Sequence, residues 1–83
     1  MFENSSILVT GGTGSFGNAF LKKTLDKYNP RKIVIFSRDE MKQWEMARKF
    51  ENNSRVRFML GDVRDRNRLS RALDGIDYVV HAA

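Results

Sequence analysis

One stretch, Thr10-Gly11-Gly12-Thr13-Gly14-Ser15-Phe16-Gly17, constrains this chain more than any other. It follows directly on the apolar run Ile7-Leu8-Val9 and leads into a segment with helical periodicity. A short apolar run that ends in glycines reads as a buried strand closed by a tight turn. Small residues in such a turn let backbone approach a pyrophosphate, and the last glycine lets helix pack on strand. The helix N-terminus adds unpaired N–H groups and partial positive charge suited to phosphate. Glycines at 11, 14 and 17 in the first crossover favour a phosphate-binding loop over a merely tight turn.

The rest of the chain repeats the strand-then-helix alternation. A helix is expected from about Ser15 to Tyr28, with Phe16, Ala19, Phe20, Thr24 and Leu25 inward, stopped by Asn29-Pro30. Ile33-Val34-Ile35-Phe36 is the second strand. Asp39 to Phe50 is the second helix, with Met41, Trp44, Ala47 and Phe50 spaced by three, which places Trp44 in the core. Val56-Arg57-Phe58-Met59-Leu60 is the third strand. A short helix carrying Leu69, Ala72 and Leu73 follows, with Gly75 where a C-terminal cap belongs. Tyr78 to Ala82 is the fourth strand. The order βαβαβαβ specifies an α/β fold, a Rossmann-type doubly wound parallel sheet with right-handed crossovers. In that order the fourth strand lies beside the first and leaves Val79 and Val80 on an open apolar edge.

Eighty-three residues make one domain at most, and residues 1–83 read as the N-terminal part of a single NAD(P)-binding Rossmann domain. The chain has no cysteine, so it holds no disulfide and no thiolate metal site; no metal site is assigned, and a reducing cytoplasm fits best. No basic leader precedes an apolar stretch, and no run approaches the roughly 20 residues that span a bilayer, so neither export nor membrane insertion is expected. A net charge of +5, with Arg64, Arg68 and Arg71 at helical spacing, raises nucleic acid as a partner. Lys22, Lys23 and Lys27 on the polar face of the first helix favour an ordinary solvated surface instead.

Ligands of such sheets bind outside the carboxyl ends of the strands. There the second strand offers Ser37-Arg38-Asp39-Glu40, with Lys42 one turn on. Arg38 matches a 2′-phosphate bidentately, whereas Asp39 and Glu40 serve either the ribose or the first turn of the second helix. NADP is the preferred reading, because Ser37 is small and neutral where an NAD enzyme sets its carboxylate. Asp62 of Gly61-Asp62 either accepts from the adenine amino group or caps the next helix. His81, the single histidine, reads as a packed or surface residue rather than a base. Tyr28 and Lys32 have the Tyr-x-x-x-Lys spacing of a catalytic pair, but Pro30 breaks the helix between them.

Thr10 to Gly17, Ser37-Arg38-Asp39-Glu40-Met41-Lys42-Gln43, Gly61-Asp62-Val63-Arg64-Asp65 and His81-Ala82-Ala83 together resemble the extended short-chain dehydrogenase/reductase superfamily. Within it the chain looks like the N-terminal part of bacterial inverting UDP-N-acetylglucosamine 4,6-dehydratases, of the polysaccharide-biosynthesis group. That resemblance implies NADP contacts from Thr13, Gly14, Ser15 and Phe16 at the phosphates, within the loop that the spacing of Gly11, Gly14 and Gly17 already marks, and from Ser37 through Lys42, with Arg38, Asp39 and Glu40 among them, at the adenosine phosphate. It implies Asp62 and Val63 at the adenine and Ala82 and Ala83 beside the nearer ribose. Family members move a hydride from C4 of the sugar to NADP⁺, eliminate water across C5 and C6, and return the hydride to C6. An Asp-Lys pair and a Tyr-x-x-x-Lys helix beyond the fourth strand do the proton work, so no catalytic residue is assigned here and the sugar region is expected to be absent. The alternatives are a stand-alone nucleotide-binding module, or a nucleotide-sugar epimerase or reductase of the same superfamily; oligomeric state stays open, a homo-oligomer among the options.

Overall fold

Aliphatic side chains fill Ile7-Leu8-Val9 and Ile33-Val34-Ile35, and both runs become central strands closed off from water on either face. The structure, a computed structural model, describes residues 2–82. Its elements are β1 (Ser6–Thr10), α1 (Ser15–Lys27), β2 (Lys32–Ser37), α2 (Glu40–Lys49), β3 (Val56–Leu60), α3 (Arg66–Ala72) and β4 (Tyr78–His81). The four strands form one parallel sheet in the order β3-β2-β1-β4, the Rossmann arrangement expected from the sequence. Because every strand runs the same way, Thr10, Ser37, Leu60 and His81 all end at one rim.

Alternation along the strands sorts the core into two halves. On one face Ile7, Val9, Ile33, Ile35 and Val56 pack against Leu21 of α1 and Met46 of α2. On the other, Leu8, Val34 and Phe36 pack against Ala72 of α3. Full burial of each such aliphatic side chain is worth about 1.5–3 kcal/mol, so the two-helix face dominates. Among the described residues the second face has one helix over it, and Val79 on β4 is 53% exposed. Among the described residues Val79 is thus exposed on β4, while Val80 beside it is partly covered.

Two helices are rotated relative to their apolar spacing. In α1 the buried positions are Gly17, Leu21 and Thr24, flanked by Phe20 and Leu25, while Phe16 and Ala19 face outward. Gly17 sets that rotation, since only a residue without a side chain fits against the turn. In α2 the inward positions are Gln43, Met46, Ala47 and Phe50, an i, i+3, i+4, i+7 stripe. Met41 is 66% and Trp44 57% exposed, so Trp44 is a surface residue and not core. It lies under the Arg48 guanidinium, 4.8 Å from the ring centroid. Gln43 takes the inward place because its Nε2 donates to the Ser37 carbonyl at 3.2 Å, Ser37 Oγ at 3.0 Å and the Met59 carbonyl at 2.9 Å. A buried amide so satisfied costs little, and it ties the ends of β2 and β3 together.

Candidate functional site

β1 ends in a turn that only glycine can make. Gly11 has φ +66, in the left-handed region, and its N–H donates to the Phe36 carbonyl at 2.8 Å, locking the turn onto β2. Gly12 is buried, and a Cβ there would stand 2.9 Å from Val9 Cγ1. A Cβ on Gly17 would stand 1.9 Å from the Gly12 carbonyl oxygen, so α1 crosses the turn in backbone contact. Asn18 Nδ2 donates to the carbonyls of Thr13 and Gly14 at 3.2 and 3.0 Å and holds the loop from behind.

Gly14 is the N-cap residue of α1, and no side chain caps the helix or places an acid in its first turn. Among the described residues nothing lies within 4 Å of where a Gly14 Cβ would go. The loop thus presents bare backbone and a helix N-terminus to open space, an arrangement that fits the phosphates of a dinucleotide.

That space continues into a cleft of about 550 Å³ over the ends of β1, β2 and β3. Gly11, Thr13, Gly14, Ser37, Arg38, Asp39, Lys42, Asp62 and Val63, all anticipated from sequence, line it together. A groove of about 400 Å³ between α1 and α2 shares Thr13, Gly14 and Lys42 with it and holds Ser15. Gly17 is buried behind the loop, and Phe16, 56% exposed, stacks on Phe20 with centroids 6.0 Å apart. Glu40 is exposed in the first turn of α2 and lines neither hollow. Ala82 donates its N–H to the Thr10 carbonyl at 2.8 Å. Ala83 lies outside the described residues.

Charge at the cleft is arranged around Asp62. Asp39 is turned to α2, where its Oδ1 accepts from the Lys42 N–H at 3.0 Å as the N-cap. The first-turn role open to Asp39 is therefore the one it performs. Asp62 accepts from the backbone N–H of Arg64 at 2.9 Å, from Arg64 Nε at 3.1 and 3.2 Å and from Nη2 at 2.7 Å. Arg38 Nη1 reaches the same carboxylate at 3.4 Å. The hydrogen bonds from Arg64 hold the Asp62 carboxyl well below its usual range, with the Arg38 charge a smaller contribution. The helix-capping alternative for Asp62 is overturned: Asp65 caps α3, accepting from the Arg68 N–H at 3.1 Å.

Three residues that the sequence left unassigned shape this rim. Gly12 was legible only as the neighbour of the spaced glycines, Gln43 as a polar helix residue, and Arg64 as one of three arginines at helical spacing. That basic stripe does not form as a free surface, because Arg64 precedes α3 and is engaged by Asp62, while Arg68 Nε donates to the Leu60 carbonyl at 2.7 Å. His81 lines the cleft with Nδ1 2.5 Å from Thr10 Oγ1. Tyr28 follows the last residue of α1 and packs edge-on against Phe2, with Lys32 at the start of β2, so the pair stands at the strand ends remote from the cleft.

Comparison with known proteins agrees with this geometry. The family profile described as "Polysaccharide biosynthesis protein" matches residues 7–83. Over all 83 residues the chain is 53% identical to a UDP-N-acetylglucosamine 4,6-dehydratase (inverting) of Campylobacter jejuni strain 81-176, covering 25% of that protein. It is 51% identical to a UDP-glucose 4-epimerase of Rickettsia bellii, again covering 25%. The chain thus spans about a quarter of the length of the curated relatives it matches. Among solved structures, Pen from Bacillus thuringiensis superposes with a TM-score of 0.93 at 34% identity, over 100% of this chain and 25% of that one. A dTDP-glucose 4,6-dehydratase of Bacillus anthracis in complex with NAD gives 0.78 at 22% identity, over 95% of this chain and 26% of that one, and supports the fold. With a Rossmann sheet, a glycine turn at its first crossover and a profile match over nearly its whole length, the chain belongs to the polysaccharide biosynthesis protein family.

Proposed function

We propose that these residues form the NADP-binding part of a nucleotide-sugar 4,6-dehydratase of the UDP-N-acetylglucosamine type, acting in the cytoplasm on precursors of surface polysaccharide or flagellin glycans. The glycine loop from Gly11 to Gly17 and the α1 N-terminus hold the pyrophosphate. Ser37, Arg38 and Lys42 surround the adenosine phosphate, Asp62 and Val63 the adenine, and Ala82 the nearer ribose. When bound, the nicotinamide ring supplies reversible hydride acceptance, and the chain's own work is to bind and orient it. Proton transfer at the sugar belongs to residues outside these 83.

One observation carries the choice of NADP. At the end of β2 the small Ser37 is followed by Arg38, which is exposed at the cleft, while the carboxylate of Asp39 is occupied in capping α2. A cation faces the place where an NAD site sets its acid. Calorimetric titration of NADP⁺ and NAD⁺ is the test. NADP⁺ should bind more tightly, and Arg38→Ala should remove most of a difference of about 1.5–3 kcal/mol, the worth of a charge-assisted hydrogen bond. Equal affinities, or a preference untouched by the substitution, would return Arg38 to the solvated surface.

The identity to a UDP-glucose 4-epimerase supports a second reading, in which the same cofactor part serves an epimerase. Product analysis of the whole enzyme separates the two: dehydration yields a 4-keto-6-deoxy sugar, and epimerisation yields an isomer of unchanged mass.

A further inference from the structure

Asp62 stands between two arginines that hold it very unequally. Arg64 approaches with its fork and its backbone N–H, giving contacts between 2.7 and 3.2 Å. Arg38 makes one long contact of 3.4 Å, and its side chain is 73% exposed. A bidentate guanidinium is the stronger partner for a carboxylate, and a single contact at 3.4 Å is weak. Without Arg64, the nearest cation to Asp62 would be Arg38, and the carboxylate would compete for it with any incoming phosphate.

We infer that Arg64 is a specificity-determining positioning residue: by holding Asp62 with the shorter, bidentate contacts it leaves the Arg38 guanidinium free to turn to a 2′-phosphate. The inference rests on the NADP reading above. It gives Arg64 a role that requires no contact with cofactor. Asp62 keeps a partner when Arg38 departs, so recognition of the phosphate does not strip a carboxylate of its counter-ion. NAD, lacking the 2′-phosphate, makes no demand on Arg38, so any effect of Arg64 on the adenine side through Asp62 is common to both cofactors and cancels in their affinity ratio.

The test is a double-substitution cycle read as the ratio of NADP⁺ to NAD⁺ affinity. It is measured by calorimetry on the chain and, in parallel, on a chimera in which these 83 residues replace the matched quarter of the Campylobacter dehydratase. Arg64→Ala should lower the ratio about two- to fivefold, the scale of an exposed ion pair, by weakening NADP⁺ more than NAD⁺. Arg64→Gln should do the same, and general damage to the cleft would weaken both cofactors alike. In the Arg38→Ala background, Arg64→Ala should change nothing further, because the residue through which it acts is gone. An unchanged ratio in Arg64→Ala overturns the inference and leaves the NADP reading standing. A further drop in the Arg38→Ala background also overturns it, since Arg64 would then touch the phosphate or act through space by itself. If the unsubstituted protein shows no preference for NADP⁺, the NADP reading itself fails, and this inference with it.

Discussion

The Gly12 carbonyl oxygen and Gly17 are in such close contact that a Cβ on residue 17 would lie 1.9 Å from that oxygen. The neighbour is backbone of a turn that Gly11 and Phe36 already pin, so it cannot step aside. Gly17→Ala should therefore cost about 3 kcal/mol or more, the upper end of overpacking, and should open the phosphate loop as it does so. Gly14→Ala is the companion variant, because open space surrounds that position. Urea denaturation should show a large loss of midpoint for the first and a change under about 1 kcal/mol for the second. Dinucleotide affinity should fall in both if the proposed site is right, since the Gly14 methyl would then project into the cleft where the phosphates are proposed to approach.

Met46 and Trp44 should exchange the roles that hydrophobicity suggests. Met46 is 1% exposed in the core, and Met46→Ala should cost about 2–5 kcal/mol. Trp44→Ala removes a half-exposed ring and its contact with Arg48, and should cost about 1 kcal/mol or less. Thermal melts check the two costs, and acrylamide should quench Trp44 fluorescence efficiently. A strongly shielded Trp44 would mean that α2 packs on the face its aromatic spacing implies.

The two rotated helices show what was legible in the sequence. Strands were readable because a buried strand shows as an unbroken apolar run: Val56–Leu60 has the expected bounds, and β1 and β2 extend theirs by a residue at each end. The glycine loop was readable because spacing and context constrain it together. The α2 face was not, because Gln43 earns its burial through three acceptors on Ser37 and Met59, distant in sequence, that no periodicity records. Arg64 was hidden in the same way. Its spacing from Arg68 and Arg71 suggests a helical stripe, whereas its partner is Asp62, two residues back in a turn. Residues whose role is a specific hydrogen bond are read poorly from one-dimensional patterns, whether the partner lies across the fold, as for Gln43 and His81, or in the same turn, as for Arg64.

The β4 edge carries a third prediction. Among the described residues Val79 is 53% exposed on β4, an outer strand of the four, and in the 83-residue chain such an edge invites pairing with another chain. Val79→Lys should reduce concentration-dependent association while leaving the melting temperature close to that of the unsubstituted chain. Sedimentation velocity across a concentration series reads this directly. Association that persists undiminished would place the sticky surface elsewhere, with the exposed Met41 and Trp44 of α2 the next candidates.

The carboxyl of Asp62 gives the last prediction, a pH dependence whose sign follows from its partners. Its folded value is lowered from the ordinary 3.8, first by the side-chain hydrogen bonds from Arg64, then by the Arg64 backbone N–H, against an opposing effect of burial. A group whose folded value lies below its unfolded value contributes stability in full above the unfolded value, and loses it only as pH falls below that toward the folded one. Asp62 should thus stay ionised from neutral pH down to 3.8, and the cleft should keep its charge at this position over that whole span. An NMR titration of the Asp62 side-chain carboxyl carbon should show no inflection there. Arg64→Ala removes all three side-chain hydrogen bonds and the nearest cation, and should bring the inflection up toward the ordinary carboxylate range. Arg38→Ala should move it much less, because its single 3.4 Å contact is the smaller contribution. An inflection at or above 3.8 in the unsubstituted protein, or equal shifts in the two variants, would show that Arg64 does not dominate Asp62 and that the two arginines share it evenly.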